Sequence, residues 1–174
     1  TDTFDISRNG DTTTVKVKTH ILVKVAFITA YRYDHTETGT WKGKQLVSFA
    51  SKTDDNGSPH EITASQSGGK LALQVDGEAS AAPKQTQPAV LWCAEVSKQS
   101  QIFDPANGKR MSVRVRDLGE ETVPVNGVPL QLTHVKLSGQ FARDLWFDEN
   151  GLVKMTLLGT DNSKIVSQLR QSTA

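Results

Sequence analysis

Hydrophobic and polar residues alternate along short stretches of this chain, and small or polar turn residues separate those stretches. Residues 13–18 read Thr-Thr-Val-Lys-Val-Lys, and residues 111–116 read Met-Ser-Val-Arg-Val-Arg. Residues 128–137 alternate in the same way over a longer stretch. A period of two over short stretches predicts β-strands, because successive side chains of a strand point to opposite faces.

Two-residue turn sequences recur between these stretches. Asn-Gly and Asp-Gly favour type I′ hairpin turns, because both central residues of that turn need a positive φ. The predicted turns are Asn9-Gly10, Lys42-Gly43, Asn56-Gly57, Gly68-Gly69, Asp76-Gly77, Asn107-Gly108, Asn126-Gly127, Asn150-Gly151 and Asp161-Asn162. Their spacing predicts one long antiparallel meander.

Two of the predicted strands are unusually long. Residues 12–27 contain no strand-breaking residue, and residues 28–41 contain only Gly39, which predicts a bulge or a close approach of another group to the backbone. The two strands predict a long hairpin that bends near residues 27–29. Strands of this length coil, so we expect a concave face with an apolar floor. The residues expected to form that floor are Ile21, Val23 and Val25.

One region departs from the strand pattern. Residues 79–88 are small, polar and proline-bearing, which predicts a loop, and residues 88–99 have the helical spacing of Leu91, Glu95 and Lys98. We expect this short helix to cover an open face or edge of the sheet. The predicted fold class is all-β: a strongly curved antiparallel meander, an open barrel or β-roll, with one short covering helix.

Composition adds few constraints. The chain has 174 residues, which fits a single domain over residues 1–174. Its 20 basic and 19 acidic residues are nearly balanced, so no strong field would attract nucleic acid or anionic lipid. No stretch approaches the ~20 apolar residues of a membrane span. We therefore expect no nucleic-acid partner and no membrane span.

Cys93 is the single cysteine, which excludes an intramolecular disulfide and a zinc site of several thiolates. No base or second thiol lies near it in the sequence, so we expect a dispensable packing residue. The chain begins at Thr1 without a Met. A removed signal peptide would leave such a start, and so would trimming of the sequence.

Several longer sequence blocks resemble one family. They are residues 31–35 (Tyr-Arg-Tyr-Asp-His), 41–48, 52–57, 104–108, 118–121 and 144–154 (Asp-Leu-Trp-Phe-Asp-Glu-Asn-Gly-Leu-Val-Lys). In this order they resemble a family of exported bacterial proteins described as a domain of unknown function (family 6134), over nearly the whole chain. The resemblance implies a periplasmic or secreted location and a curved antiparallel sheet. It implies no activity and no catalytic residues.

Candidate ligand-binding residues come from aromatic positions on predicted faces. Tyr31, Tyr33, His35 and Glu37 share one strand face at period two, which gives an amphipathic row whose polar ends can bond a ligand. The alternative is a cross-strand stack on a hydrated sheet face, which we favour. Trp146 shares a face with Asp144 and Asp148, which could mark a binding mouth, although two such Asp residues more often are solvated groups at a strand end.

The predicted ligand site lies between the concave face and the helix. Its expected residues are Tyr31, Tyr33, His35 and Trp92, and Trp146 is a further candidate ligand-binding residue. We assign no catalytic residue, no metal ligand and no cofactor. We favour a non-enzymatic exported binding or interaction module, for an apolar ligand, a lipid or a protein partner. One alternative is a periplasmic hydrolase with a carboxylate and histidine site assembled across strands. Another is a structural protein that binds a partner at a sheet edge.

Overall fold

A computed structural model describes residues 2–89, 92–158 and 163–169, with Val96 described by its backbone alone. The chain forms two compact units. The first unit consists of Thr1–Pro88 and Phe103–Arg110, and the second consists of Ala89–Ile102 and Met111–Ala174. Strands account for about 75% of the structure, and one of its two sheets is curled into a half-barrel.

The first unit is built on a seven-stranded meander in which each strand pairs antiparallel with the next one along the chain. Its strands are β1 (Asp2–Asn9), β2 (Thr12–Val25), β3 (Ile28–Lys42), β4 (Gln45–Asp55), β5 (Ser58–Ser67), β6 (Lys70–Val75) and β7 (Glu78–Pro83). The two-residue strand β8 (Gln87–Pro88) follows. The long hairpin predicted from the breaker-free stretches is therefore confirmed as β2 and β3.

Left-handed backbone conformations form the tight turns of this meander. Asn56 and Gly57 have φ values of 52° and 92°, and Asp76 and Gly77 have values of 52° and 88°, as type I′ turns require. The turns predicted at Asn56-Gly57, Gly68-Gly69 and Asp76-Gly77 are confirmed. Those predicted at Asn9-Gly10 and Lys42-Gly43 lie one residue further along, after the strands that end at Asn9 and Lys42.

The buried face of the first unit is apolar at one end and polar at the other. Its apolar residues are Val15, Val17, Trp41, Leu46, Phe49, Ile62, Ala64, Leu71, Leu73, Ala82 and Phe103. Along β3 the same face continues into Glu37 and His35, which are also buried. Because residues of a strand alternate between faces, a single face of β3 carries this change from apolar to polar.

Strands of the second unit also follow one another in sequence order. They are β9 (Gln101–Phe103), β10 (Arg110–Val125), β11 (Val128–Gly139), β12 (Arg143–Phe147), β13 (Leu152–Leu158) and β14 (Lys164–Gln168). The predicted turn at Asn126-Gly127 is confirmed, with φ values of 50° and 83°. Asn107-Gly108 and Asn150-Gly151 lie in longer connections rather than two-residue turns, and Asp161-Asn162 lies outside the described residues.

Both sheet faces of the second unit carry hydrophobic clusters. One cluster consists of Ile102, Met111, Val113, Val135, Leu137, Leu145 and Phe147. The other consists of Val123, Val125, Leu132, Trp146 and Val153. Strand β12 contributes to both, because Leu145 and Trp146 are neighbours that point to opposite faces.

The predicted covering helix over residues 88–99 is wrong. Gln87–Pro88 is a strand, and among the described residues of this region a single helical turn, α1 (Ala94–Ser97), is what forms. The physical reason is the short length of the predicted helix, since isolated helices below about 12–15 residues are marginal in water without tertiary support. The predicted loop over residues 79–88 is also wrong, because Glu78–Pro83 pairs with β6 along its whole length.

The predicted apolar floor is wrong as well. Ile21, Val23 and Val25 are exposed, because burial along β2 ends after Val17 and Thr19. Strand β4 pairs with β3 only as far as Tyr33, so the far half of the long hairpin lacks this neighbour. The all-β, antiparallel class is confirmed. No helix among the described residues is long and apolar enough to cross a membrane.

Candidate functional site

Three of the predicted site residues come together on β3. Tyr31, Tyr33 and His35 lie on one face, and the rings of Tyr33 and His35 stack with their centroids 6.1 Å apart. The Tyr31 hydroxyl donates to Asp55 Oδ1 on β4 at 2.8 Å. This aromatic row therefore runs from a half-buried end at Tyr31 to a buried end at His35.

His35 is the centre of a buried polar network. Its Nδ1 lies 2.8 Å from Thr53 Oγ1, and its Nε2 lies 3.1 Å from Glu37 Oε2. With the ring protonated at Nε2, that nitrogen donates to the carboxylate and Nδ1 accepts from the threonine hydroxyl. A hydroxyl, an imidazole and a carboxylate thus stand in the order used by nucleophilic hydrolases. All three side chains are buried, which withholds the hydroxyl from a substrate.

Burial is the largest influence on the pKa values of Glu37 and Tyr33. Burial raises the pKa of Glu37, and the hydrogen bond from His35 opposes that rise. Burial, followed by the nearby carboxylates of Asp104 and Asp55, raises the pKa of Tyr33 to about 12. Tyr33 therefore keeps its hydroxyl proton at neutral pH.

A segment of the first unit closes over the buried end of the row. The Ser51 hydroxyl donates to Pro105 O at 2.7 Å, and the rings of Phe49 and Phe103 meet edge to face at 5.3 Å. Within this segment Gly108 N donates to Asp104 O at 2.8 Å. The polar end of the face is therefore a packed interior, not the hydrated sheet face favoured from the sequence.

Trp146 lies in the second unit and belongs to a different cluster. Its ring stacks on His134 at 4.4 Å, and its Nε1 donates to Glu121 Oε2 at 2.9 Å. Lys154 Nζ lies 5.4 Å from the centre of the same indole ring. Trp146 is consequently covered by polar and charged neighbours rather than forming an open apolar mouth.

His134 joins two carboxylates from neighbouring strands. Its Nδ1 lies 2.7 Å from Glu121 Oε2 on β10, and its Nε2 lies 2.9 Å from Asp144 Oδ1 on β12. The contact of Nε2 with Asp144 is a hydrogen bond, and the contact of Nδ1 with Glu121 is a close polar contact. Burial alone would raise the pKa of Asp144, but hydrogen bonds from His134 and Lys136 outweigh it and lower that pKa.

Asp148 does not share this cluster, contrary to the sequence prediction. Register shifts between Trp146 and Phe147, and Asp148 follows the end of β12. Its Oδ1 accepts hydrogen bonds from the backbone N–H groups of Asn150 and Gly151 at 2.7 and 2.8 Å. Asp148 therefore holds the turn, and a pair of facing carboxylates on β12 is not formed.

The remaining predicted positions are Trp92 and its neighbour Cys93, both in the second unit. Trp92 is buried just before the helical turn, and Cys93 is half-buried with its carbonyl accepting from both the backbone N–H and the hydroxyl of Ser97. In the described part of the chain, no group of three or more His, Cys, Asp or Glu side chains could hold a metal ion.

An exposed apolar feature was missed by the sequence analysis. We call residues 21–31 the hairpin tip. Phe27 in its turn has a relative exposure of 103%, and Ile28 and Val25 beside it have exposures of 73% and 65%. Ile21, Leu22 and Val23 are exposed as well. The alternation over this stretch is weak, since three apolar residues follow one another, and that departure was the available signal.

Comparison with known proteins identifies a family without supplying an activity. No curated protein and no solved structure matches the chain. The family model that does match is described as a domain of unknown function, DUF6134, and it covers residues 1–170, which include the first unit and all but the last four residues of the second. The chain therefore belongs to the DUF6134 family of domains of unknown function.

Proposed function

We propose that this protein is a non-enzymatic binding module that engages an apolar ligand or surface through the hairpin tip. The observation that carries this proposal is the complete exposure of Phe27, with Val25 and Ile28 exposed beside it. Contiguous exposed apolar patches of this kind mark interaction sites more often than scattered single residues do. Burying a phenylalanine side chain in a partner would contribute roughly 1.5–3 kcal/mol.

The predicted site at the other end of β3 supports binding less well. His35 and Glu37 are buried beneath the segment that contains Asp104 and Pro105. Tyr31 and Tyr33 are only half-buried, and they lie where the hairpin leaves the sheet. We therefore assign the two tyrosines to the base of the binding element and His35 to the interior.

Titration with a fluorescent fatty-acid probe tests this function. Wild-type protein is expected to bind the probe, and Phe27→Ser is expected to weaken binding at least tenfold. Val128→Ser is the matched control, because Val128 is also an exposed apolar residue that follows a tight turn, but in the second unit. Equal binding by all three proteins would contradict the assignment to the tip, and failure of the wild type to bind either the probe or lipid vesicles would remove the proposed function.

A periplasmic or secreted location forms part of this proposal. Its support is the resemblance noted from the sequence blocks at residues 31–35 and 144–154. Fractionation of a cell that expresses the full natural gene, followed by detection with an antibody, tests the location. Recovery of the protein only in the cytoplasm would contradict it.

Hydrolysis is the second candidate, and the order Thr53, His35, Glu37 is the observation that favours it. Such a site would lose all activity in Thr53→Val and keep some in Thr53→Ser, which retains a hydroxyl. A structural role predicts instead that Thr53→Val lowers stability without changing any ester hydrolysis. The burial of all three side chains places this candidate second.

Partner binding at a sheet edge ranks below both. Strand β1 is the first strand of its sheet and pairs with β2 among the described residues. It carries Asp2, Asp5 and Arg8 over its eight residues. Charged side chains on an edge strand disfavour pairing with another chain.

A further inference from the structure

We propose that the hairpin tip inserts into the interface of a lipid bilayer, with Phe27 at its deepest point and Lys24 at the level of the lipid phosphates. This inference rests on the proposed function and names the partner of the same element. The occupant is the surface of a membrane rather than a single lipid molecule in a pocket.

The tip is a projection and not a groove. Pairing of β4 with β3 ends at Tyr33, because the turn at Asn56-Gly57 follows Asp55 directly. Beyond Tyr33, β3 pairs among the described residues with β2 alone, as far as Val25 and Ile28. At about 3.4 Å per residue, the four steps from Ile21, which lies opposite Tyr33, to Val25 extend roughly 14 Å. A projecting element of this length can reach a surface without contact from the rest of its sheet.

The two faces of this ribbon differ in polarity, and both are exposed. Ile21 and Val23 lie opposite Tyr33 and Tyr31, which makes one face apolar and aromatic. Leu22 lies on the other face, opposite Arg32. The exposures of Ile21, Leu22 and Val23 are nearly equal, at 42%, 44% and 45%. An apolar face beside a face that carries a cationic side chain suits the interface of a lipid bilayer.

The distribution of charge agrees with this orientation. Lys24 is the single charged residue of residues 21–31, and its sign suits lipid phosphates. Charged side chains return at the base of the ribbon, where Asp34 pairs with both Arg32 and His20. A long lysine side chain keeps its ammonium at the headgroups while its methylene groups cover apolar surface. The side chains thus change from polar at the base of the ribbon to apolar at its tip, which is the direction of insertion.

Unpaired backbone hydrogen-bonding groups limit how deeply the hairpin tip inserts into the bilayer. A two-stranded ribbon leaves outward-facing N–H and C=O groups on both strands, and hydrocarbon offers these groups no partner. Residues 25–28 form the end of the hairpin, and two residue pairs span about 7 Å at strand spacing. That depth lies within the 5–10 Å over which apolar side chains of interfacial elements penetrate. Tyr31 would then lie near the headgroups, where tyrosine rings are favoured.

Co-sedimentation of the full chain with vesicles tests the proposal. Vesicles of phosphatidylcholine alone, and of phosphatidylcholine with phosphatidylglycerol, are the two probes. We expect binding to both, with stronger binding to the anionic vesicles. Phe27→Ser should weaken both at least tenfold, which corresponds to about 1.4 kcal/mol. Lys24→Gln should remove most of the preference for anionic lipid and leave binding to phosphatidylcholine.

Controls separate the possible failures. Val128→Ser should bind as the wild type does, and Phe27→Ser should keep its thermal midpoint because Phe27 makes no buried contact. Wild-type protein that binds the fatty-acid probe but neither kind of vesicle would overturn the bilayer inference and leave the proposed function standing. Failure to bind the probe as well would overturn both. Vesicle binding that survives Phe27→Ser but not Lys24→Gln would be adsorption by charge and would overturn insertion.

Discussion

Gly39 shows at the scale of one residue why the first unit tolerates no side chain at a central strand position. The indole ring of Trp41, which is fully buried, folds back over the β3 backbone. A Cβ placed on Gly39 would lie 2.3 Å from Cη2 of that ring. The close approach expected from the sequence at this glycine is therefore confirmed, and its partner is a side chain two residues away.

Gly39→Ala should consequently lower the free energy of unfolding by about 1–3 kcal/mol, because the indole must leave its place in a packed core. Urea denaturation monitored by tryptophan fluorescence measures the change. The double variant with Trp41→Leu provides the control, since a smaller side chain removes the clash and Gly39→Ala should then cost less than it does alone. Additive costs in the double variant would show that the clash is not the cause.

Asp144 gives the second unit a pH-dependent contribution to stability. Its folded pKa is lowered, so its contribution is fully present above the unfolded value of about 3.9 and is lost as the pH falls through the folded value. We expect Asp144→Asn to cost about 1–2 kcal/mol at pH 7, the range for a hydrogen bond to a charged group. The difference from wild type should shrink steadily below about pH 4.

Thermal or urea unfolding of both proteins from pH 7 to pH 2 measures that difference. Asp5→Asn is the control, since Asp5 is exposed on β1. An Asp144→Asn cost that stays constant with pH would mean that the charge of the carboxylate is not what stabilises the His134 cluster.

At the scale of elements, the β2–β3 hairpin turns at a residue poorly suited to its conformation. Ala26 has a φ of 54°, in the left-handed region where a Cβ costs roughly 1–2 kcal/mol. The corresponding turns at Asn56 and Asn126 use asparagine, which tolerates that region. Because no glycine or proline marked the bend, the sequence located it only to within a residue or two.

Ala26→Gly should raise the free energy of unfolding by about 0.5–1 kcal/mol, since relief of the strained φ exceeds the entropy that glycine loses on folding. Asn56→Gly, the matched change at a type I′ turn, should change stability by no more than a few tenths of a kcal/mol. Parallel urea titrations compare the two variants. A larger gain at Asn56 than at Ala26 would contradict the strain described for the tip.

Two elements of the structure differ from those predicted from the sequence. The small residues of β7 have low strand propensity, yet the full pairing of Glu78–Pro83 with β6 makes them a strand. The helical spacing of residues 88–99 was a weak preference that the tertiary structure did not keep beyond Ala94–Ser97. Local propensity did not decide the outcome for β7, because β6 supplies its hydrogen bonds.

For the whole molecule, we expect a far-ultraviolet circular-dichroism spectrum of β-sheet with no helical bands, because about 75% of the structure is strand. A spectrum dominated by helix would contradict the fold. The expectation of one domain over residues 1–174 stays a prediction.

Cys93→Ser should leave both the spectrum and the thermal midpoint nearly unchanged, since Cys93 is half-buried and is the single thiol of the chain. A loss of several degrees in Cys93→Ser would show that the thiol contributes to packing more than its exposure implies.

The candidate site was predictable only where its residues share a strand. Tyr31, Tyr33, His35 and Glu37 fall on one face because the strand period is two, and no tertiary information is needed for that. The partners Thr53 and Asp55 could not be foreseen, because they depend on how β3 and β4 are aligned. The same holds for the contact of Trp146 with His134, which β11 and β12 bring together through their register.

The sequence by itself determined the all-β class, most of the tight turns and the long hairpin, because alternation and positive-φ residues act locally. Burial was decided by the tertiary structure alone. Val17 and Val23 belong to the same strand and the same alternating pattern, yet Val17 is buried and Val23 is exposed. The reason is that β4 pairs along the half of the hairpin that contains Val17 and turns back before the half that contains Val23. A pattern of residues fixes which face a side chain takes, whereas only neighbouring strands decide whether that face is covered.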